Sequence, residues 1–340
     1  MTAEQPSAQS RTHRKSPAKA AAARQTRRHP VRWGAEAIGV GAAVSALRAM
    51  PKPLAMVTGS SIGRGFARLD SHYRRLAIAN LNLVFPDWSS AQCLEFVRLN
   101  FAELGRTAAE WARMPSLSND EVRARVEVNG IEHLKTGFGQ GRGALVVTAH
   151  YGYWEMTLLT LALYMPDSEI TAVARAQPNP YLREFIGQRR NLGGVELLKQ
   201  NALSVRRALR RNAAVGVLAD HYLSERKGGL LAPFLGLPAW SNPGPAVLAL
   251  SARCRVLIAH IRRVDETRHC LELAPIELPA LDDRASRILE LTTRINVAIG
   301  DIIRREPELW LWSNHSWRGS PAVSAESYPS RRRRRRAARG

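Results

Sequence analysis

A histidine and a glutamate five residues apart are the first side chains in this sequence whose types and spacing could do chemistry. His150 ends an apolar, valine-rich run, and Glu155 follows it with Gly152 between them. Within one continuous helix, residues five apart diverge by about 140° and could not pair. A turn at Gly152 would let the carboxylate fold back onto the imidazole. There it would fix the tautomer and stabilise the charged ring, as the acid of a hydrolase triad does.

The same two residues also allow a purely structural interpretation. A histidine at the end of a strand can hydrogen-bond locally, and a glutamate in the first turn of a helix is favoured by the helix dipole. Such pairs perturb each other for structural reasons as well. The spacing alone therefore leaves both interpretations open.

The surrounding pattern places the pair in an α/β fold. Apolar runs alternate with helix-length segments, which is typical of a central, mostly parallel sheet flanked by helices. His150 would then lie at the carboxyl end of a strand, where open sheets bind ligands. We predict strands at 143–149, 169–175, 195–199, 213–219, 254–261 and 269–276, and helices at 154–165, 180–191, 201–211 and 244–252. An N-terminal helical segment with a cap at Ser89 or Ser90, and a final amphipathic helix at about 286–304, complete the prediction.

Positive charge is concentrated at the two ends of the chain. The formal net charge is +21, with eight lysines and arginines against one glutamate in residues 1–33 and seven arginines in 331–340. Both ends lack the apolar residues that offset chain entropy, so we expect disorder. Such tails bind anionic lipid or nucleic acid, or are simply solvated. We predict a disordered basic tail at 1–33, one folded domain at 34–322 with its core at about 126–318, and a disordered arginine-rich tail at 323–340.

Cysteine usage and hydropathy exclude several classes of protein. Cys93, Cys254 and Cys270 are scattered and form no C-x-x-C pair, which argues against a disulfide framework and a zinc site and fits a reducing compartment. We expect no metal and no cofactor. No apolar run reaches the roughly 18 residues of a transmembrane helix. The nearest candidate, 37–47, is short enough that it could only lie in a membrane interface.

Residues 58–65 contain two short motifs that overlap. Gly59-x-Ser61-x-Gly63 resembles the nucleophile elbow of a serine hydrolase, and the run from Thr58 to Gly65 resembles a dehydrogenase cofactor loop. Both need a buried strand before them, which Pro51-Lys52-Pro53 would break. We interpret both as chance matches, which leaves a serine hydrolase using Ser61 as a minor alternative.

Other polar residues follow the remaining predicted strands. Arg175 ends the second strand and is followed by Asn179, while Asp220 ends the fourth. An arginine can grip a phosphate with two hydrogen bonds. A surface or ion-paired arginine and a helix-capping aspartate are the structural alternatives. One histidine beside a carboxylate, with no nucleophile elbow, suggests acyl or phosphoryl transfer by a general base.

Taken in order, these motifs resemble the bacterial lipid A biosynthesis acyltransferases, the lauroyl/myristoyl family of the lysophospholipid acyltransferase-like superfamily. Phosphatidylinositol mannoside acyltransferases belong to the same group. The resemblance covers roughly residues 70–320. It is carried by Asn80-Leu81 with Phe85-Pro86, His150-x4-Glu155, Arg175-x3-Asn179-Pro180, Asp220, Pro233-Phe234-x-Gly236, Gly244-Pro245-Ala246 and Pro307-Glu308-x-Trp310-x-Trp312.

The resemblance implies an α/β acyltransferase and a role for each candidate residue. His150 would deprotonate the acceptor hydroxyl, a role that typically contributes 10²–10⁴-fold in rate. Glu155 would orient His150 and stabilise its charge. The alkoxide would attack the thioester directly, with no acyl-enzyme. Arg175 and Asn179 would contact the acceptor headgroup, and Asp220 would shape the site.

The resemblance also implies partners and a location. The acyl donor would be acyl carrier protein or coenzyme A as co-substrate, and the acceptor a glycolipid, most simply a lipid A precursor. The enzyme would work on an anionic membrane surface, at the cytoplasmic face of the inner membrane. A mannoside or an aminolipid is the alternative acceptor. A non-catalytic nucleic-acid-binding protein is disfavoured, because the charge lies in the tails and the aromatic residues lie in apolar runs.

Overall fold

The computed structural model describes residues 30–174, 177–190, 194–199, 201–323 and 328–329. The helices of this part are α1 Pro30–Ala49, α2 Lys52–Leu69, α3 Ser71–Val84, α4 Ser90–Arg113, α5 Asn119–Arg125, α6 Ile131–Gly139, α7 Trp154–Tyr164, α8 Pro180–Arg190, α9 Ala202–Arg210, α10 Gly244–Ala252 and α11 Arg284–Arg305. The strands are β1 Val126–Asn129, β2 Ala144–Thr148, β3 Ile170–Ala174, β4 Glu196–Lys199, β5 Ala214–Leu218, β6 Leu230–Phe234, β7 Leu237–Ser241, β8 Arg255–Arg263 and β9 His269–Ile276.

Seven strands form one mixed sheet in the order β1-β9-β8-β2-β5-β3-β4. Strands β8, β2, β5, β3 and β4 run parallel to one another, while β9 is antiparallel to β8 and parallel to β1. The remaining two strands, β6 and β7, form a separate antiparallel hairpin. This confirms the predicted class, an α/β fold with a mostly parallel central sheet.

The apolar strands are continuous runs because both faces of the sheet are covered. In β2, Leu145 and Val147 face a cluster that includes α3, α4, α10 and α11. Ala144 and Val146 face the opposite cluster, with α5, α6 and α7. Alternate residues of one strand thus fill two cores. Every strand and helix predicted from the alternating pattern is found within two residues of its predicted ends.

Helix α2 contains the residues of the two overlapping motifs. Gly59, Ser61 and Gly63 lie in the middle of this helix, so they form neither a nucleophile elbow nor a cofactor loop. A Cβ added at Gly63 would overlap the carbonyl oxygen of Phe101, and one at Gly59 would overlap that of Gly105. The glycines therefore let the backbones of α2 and α4 pack in direct contact.

The predicted tails lie mostly outside the described residues. Residues 30–33, at the end of the first tail, form the first turn of α1. In the second tail, Tyr328 is buried and donates a hydrogen bond from its hydroxyl to Oδ1 of Asn80, at 2.7 Å. Residues 37–47, considered for the membrane interface, lie within α1. Among the described helices, none has both the length and the apolar character needed to cross a bilayer.

Candidate active site

His150 and Asp220 face each other because of the register between two neighbouring parallel strands. Thr148, the last residue of β2, pairs with Leu218, the last residue of β5. His150 and Asp220 each follow their strand end by two residues, at the same edge of the sheet. Adjacent strands lie about 4.8 Å apart, so the two side chains fall within hydrogen-bonding reach.

Three hydrogen bonds hold the carboxylate of Asp220. Its Oδ1 lies 2.9 Å from Nδ1 of His150, and its Oδ2 accepts from the backbone N–H of His150 at 3.0 Å. The indole N–H of Trp310 donates to the same Oδ2 at 2.9 Å. The Asp220 side chain is fully buried, whereas that of His150 is 15% exposed. With Nδ1 directed at the acid, Nε2 is the ring nitrogen that can face a substrate.

The groups around Asp220 stabilise its negative charge. Burial alone would raise the pKa of this carboxyl, but the nearby charge of His150 and the hydrogen bonds from its ring and backbone lower it to about 2. Asp220 is therefore ionised at neutral pH. An ionised acid at Nδ1 fixes the ring tautomer and stabilises the imidazolium that forms when Nε2 takes up a proton.

The backbone around His150 is fixed on both sides. Gly152 adopts φ +55°, and a Cβ at this position would overlap the carbonyl oxygen of Ile261 in β8. Its N–H donates to the carbonyl of Leu309 at 3.0 Å, and the N–H of Leu311 donates to the carbonyl of His150 at 3.1 Å. The turn predicted at Gly152 is thus present, and it attaches His150 to the segment that contains Trp310.

Two fully buried asparagines hold that C-terminal segment in place. Asn100 in α4 donates from Nδ2 to the carbonyls of Glu308 and Trp310, both at 2.7 Å. Asn80 in α3 donates in the same way to the carbonyls of Trp312 and Asn314, also at 2.7 Å. Through these four bonds the N-terminal helices position the indole that contacts Asp220.

Aromatic rings surround the exposed edge of His150. The rings of Trp154 and His221 lie edge-on to it, with centroids 5.3 Å and 4.7 Å away. His150, Asp220 and His221 each offer a nitrogen or oxygen within 4.8 Å of the others, a donor set that a transition metal could use. Nδ1 of His150 and Oδ1 of Asp220 are engaged with each other, an arrangement that suits the pair for proton transfer.

The other predicted site residues occupy different positions. Glu155 lies in the first turn of α7, as predicted, and is partly exposed. Asn179 is buried, and its Nδ2 donates to the backbone carbonyl of Trp33 in α1 at 3.0 Å. Its Oδ1 accepts from the N–H of Tyr181 at 3.0 Å and so caps α8. Arg175 lies outside the described residues, so its predicted headgroup contact stays a prediction.

Two features of the site were not predicted from the sequence. The direct contact of Asp220 with His150 depends on the adjacency of β2 and β5, which are separated by about 70 residues along the chain. Trp310 belonged to one of the motifs noted above, but no chemical role was assigned to it. The signal for the contact was that His150 and Asp220 each follow the end of a strand by two residues. The sequence carries no signal for the role of Trp310.

A second buried pair of a histidine and an acid lies between α4 and the sheet. Nε2 of His269 lies 3.1 Å from Oε1 of Glu110, and Arg263 donates from Nη2 to Oε2 of the same carboxylate at 2.8 Å. Burial would raise the pKa of Glu110, but the hydrogen bonds from His269 and Arg263 lower it to about 2. The side chains of His269 and Glu110 are 8% and 6% exposed. This second pair is therefore sealed from solvent.

Comparison with known proteins identifies the family of this chain. Residues 21–319 match the family described as bacterial lipid A biosynthesis acyltransferase. The chain is 25% identical over 285 residues to the lipid A biosynthesis palmitoleoyltransferase of Escherichia coli, covering 82% of this chain and 90% of that protein. It is 24% identical to the lauroyltransferase of the same organism, over 83% of this chain and 90% of the relative. A phosphatidylinositol mannoside acyltransferase of Mycobacterium tuberculosis is 28% identical over 46% of this chain and 51% of its own length.

Proposed function

Because the chain belongs to the bacterial lipid A biosynthesis acyltransferase family and is an acyltransferase, we propose that it transfers a fatty acyl chain from a thioester to a hydroxyl of a glycolipid. The observation that carries this proposal is the hydrogen bond between Nδ1 of His150 and the ionised Asp220, at the carboxyl edge of the sheet. It presents Nε2 of His150 as a general base. We expect no cofactor, with the acyl donor as co-substrate.

The reaction balances without an acyl-enzyme. Nε2 of His150 takes the proton of the acceptor hydroxyl as the oxygen forms a bond to the thioester carbonyl carbon. Asp220 stabilises the imidazolium through Nδ1 while the tetrahedral intermediate exists. The intermediate then collapses with cleavage of the carbon–sulfur bond, and the proton on Nε2 passes to the departing thiolate. The products are an ester and a free thiol.

Glu155 and the headgroup residues complete the proposal. Glu155 lies near the start of α7, where it adds a second negative charge to the surroundings of His150. The amide of Asn179 joins α1 to α8. In this position it would contribute to acceptor binding by holding the two helices in place. Arg175 remains our choice for a phosphate of the headgroup, because an arginine binds phosphate with two hydrogen bonds.

The acceptor that we propose is a lipid A precursor. The relatives that cover most of their own length against this chain are named for lipid A biosynthesis, which supports this choice. The mannoside acyltransferases match only about half of the chain, so a phosphatidylinositol mannoside is the second candidate. Acyl carrier protein or coenzyme A would supply the thioester.

Mass spectrometry of the host lipids tests the acceptor and the base together. Deletion of the gene should remove one acyl chain from lipid A, and the parent gene should restore it. A gene carrying His150→Ala should fail to restore the chain although the variant protein accumulates normally. An unchanged lipid A together with a changed mannoside or aminolipid would mean that the acceptor is that lipid and not a lipid A precursor. Restoration of the missing acyl chain by the His150→Ala gene would exclude His150 as the general base.

A membrane surface is the proposed location, at the cytoplasmic face of the inner membrane. Helix α2 carries several large apolar side chains that are exposed to solvent: Leu54, Val57, Ile62, Phe66 and Leu69. Arg64 and Arg68 are exposed on the same helix. Apolar side chains next to arginines are typical of a helix that lies in the interface of an anionic bilayer. The basic tails would add electrostatic attraction.

Flotation with liposomes that contain anionic phospholipid tests this location. The measurement is made at 0.5 M salt, where the Debye length is about 4 Å and the attraction between the basic tails and the lipid is screened. Under these conditions the parent protein should float. A variant in which Leu54, Val57 and Ile62 are replaced by serine should lose most of its binding. Leu289→Ser with Val297→Ser, two exposed apolar residues of α11, is the matched control and should float like the parent. Equal flotation of the triple variant would exclude α2 as the contact.

A further inference from the structure

One charge in the proposed reaction lies outside the His150–Asp220 pair. As the acceptor oxygen bonds to the thioester carbonyl carbon, an electron pair of the C=O double bond moves onto the carbonyl oxygen, and it returns when the carbon–sulfur bond breaks. Enzymes that transfer acyl groups stabilise this oxyanion with hydrogen-bond donors that are held in place beforehand. His150 and Asp220 act on the opposite charge, that of the imidazolium, so the oxyanion needs a donor from another residue.

The backbone of the loop that contains His150 does not supply this donor. Oxyanion holes are often built from backbone N–H groups. Here the N–H groups of residues 150–153 already donate, at 2.8–3.2 Å, to other parts of the protein: Oδ2 of Asp220 and the carbonyls of Ala149, Leu309 and Ile261. The indole N–H of Trp310 is likewise bonded to Asp220. The next residue along the loop is Trp154.

Trp154 has an indole N–H that is open to solvent. This residue is the first of α7, and it is partly exposed. In the part of the chain that the structure describes, no group accepts a hydrogen bond from its indole N–H. The same N–H is not one of the buried polar groups that lack a partner. It is therefore available to a molecule that enters the site.

The ring of Trp154 lies close enough to His150 for one carbonyl group to contact both. Their ring centroids are 5.3 Å apart, and their planes meet at 66°. When the acceptor hydroxyl is bonded to Nε2 and its oxygen attacks the thioester, the carbonyl oxygen lies about 3–5 Å from Nε2. An indole N–H is a donor only, so it can bind the oxyanion without competing with His150 for the proton of the acceptor.

We propose that Trp154 is a further catalytic residue, whose indole N–H donates a hydrogen bond to the carbonyl oxygen of the acyl donor as that oxygen becomes an oxyanion. The inference rests on the proposed function, in which the thioester is attacked beside His150. The bond strengthens as charge develops on the oxygen, so it stabilises the transition state more than the bound substrate. The dipole of α7, which is positive at this end of the helix, acts in the same direction.

Kinetics of Trp154→Phe test the inference, because this change removes the N–H and keeps an aromatic ring beside His150. With acyl-CoA as donor, kcat should fall by about 10²-fold. The KM values for donor and acceptor should stay within about twofold of the parental values, because the lost bond belongs to the transition state. With the dithioester analogue of acyl-CoA, in which sulfur replaces the carbonyl oxygen, the difference in kcat should shrink to less than about threefold, because sulfur is a weak acceptor.

Trp88→Phe is the matched control. Trp88 lies between α3 and α4, where its ring packs against those of Phe85 and Phe96. The same substitution there should leave kcat unchanged, and the Tm of the two variants should fall by a similar small amount. Equal kcat values for Trp154→Phe and the parent would overturn the inference, because other donors would then bind the oxyanion. An equal loss with the thioester and the dithioester would also overturn it, because the ring would then only position His150.

Calorimetry with a transition-state analogue separates this inference from the proposed function. The probe is the trifluoromethyl ketone analogue of acyl-CoA, which becomes hydrated and so resembles the tetrahedral intermediate. It should bind the parent and Trp88→Phe equally, and Trp154→Phe about 3- to 10-fold more weakly. If this difference is found but the parent transfers no acyl chain to a glycolipid, the proposed function fails and the role of Trp154 stands. If transfer proceeds and Trp154→Phe matches the parent in affinity and kcat, the role of Trp154 fails and the function stands.

Discussion

The molecule contains two buried histidine–acid pairs that look alike in distance and charge but differ in their surroundings. His150–Asp220 and His269–Glu110 are joined at 2.9 Å and 3.1 Å, and in each the pKa of the acid is lowered to about 2. In the second pair, Arg263 neutralises the acid and the histidine is sealed. In the first, the third partner is the neutral indole of Trp310, and the histidine keeps an exposed edge.

This difference supports the proposal that His150–Asp220 is the catalytic pair. A carboxylate already balanced by an arginine gains little from a protonated histidine, and a sealed histidine meets no substrate. A carboxylate held only by neutral donors and its own histidine can stabilise a charge that forms during a reaction. We therefore base the choice of His150–Asp220 as the catalytic pair on solvent access and charge balance, since both pairs share the contact between histidine and acid.

The largest expected effect comes from Asp220→Asn. Asparagine keeps an acceptor for Trp310 but carries no charge to stabilise the imidazolium, so kcat should fall by about 10²–10⁴-fold, the typical contribution of a well-supported general base. The measurement is the initial rate of acyl transfer from acyl-CoA, together with the Tm of the variant. A variant that is folded and retains more than a tenth of the parental kcat would contradict the role of Asp220.

Glu155→Gln sharpens the same comparison. If Glu155 acts through its charge on His150 while Asp220 makes the contact at Nδ1, kcat should fall by less than in Asp220→Asn, by about tenfold, with the same assay. A larger loss than in Asp220→Asn would make Glu155 the principal acid, as the sequence pattern alone suggested.

The second pair should govern stability. Glu110→Gln removes one of the two acids that are bonded to Arg263, together with the acid that faces His269, and should lower the free energy of unfolding by about 2 kcal/mol at pH 7. The pKa of Glu110 is about 2 in the folded protein against an ordinary value of 4.5. Its contribution is thus complete above pH 4.5 and is lost as the pH falls towards 2, so the difference from the parent should shrink at pH 3.

Urea unfolding at pH 7 and pH 3 measures this effect. Glu103→Gln, which removes the more exposed acid bonded to the same arginine, is the control and should cost less. The specific activity of the folded fraction of Glu110→Gln should stay within about twofold of the parent, because this pair does not touch the substrate. A kcat loss comparable to that of Asp220→Asn would remove the distinction between the two pairs.

The core of the fold could be predicted because each buried strand is marked by its own run of apolar residues. The run Leu145 to Val147 is apolar on both faces, and the helices between the strands have their own period. Helix α2 is harder to predict, because it is apolar on the side that packs against α4 and also on its exposed side. The prolines at its start argue against a strand, and they are equally compatible with a helix, because proline is favoured in the first helical turn.

The candidate site could be predicted residue by residue but not as an arrangement. The sequence marks His150 and Asp220 because each follows a predicted strand, yet their pairing depends on the order of strands in the sheet, which no local pattern specifies. Asn179 was selected for a headgroup contact, which stays a prediction, and its amide lies between α1 and α8. Contacts of this kind depend on tertiary packing, so they become visible only in the folded structure.

The position of Trp310, 90 residues after Asp220 in the sequence, has a consequence for biosynthesis. Asp220 receives one of its three hydrogen bonds from this residue, and the turn at Gly152 is bonded to Leu309 just before it. A nascent chain therefore cannot complete the hydrogen bonds of Asp220 until Trp310 has left the ribosome. Until then the chain contains His150 and Asp220 without the indole that fixes the carboxylate.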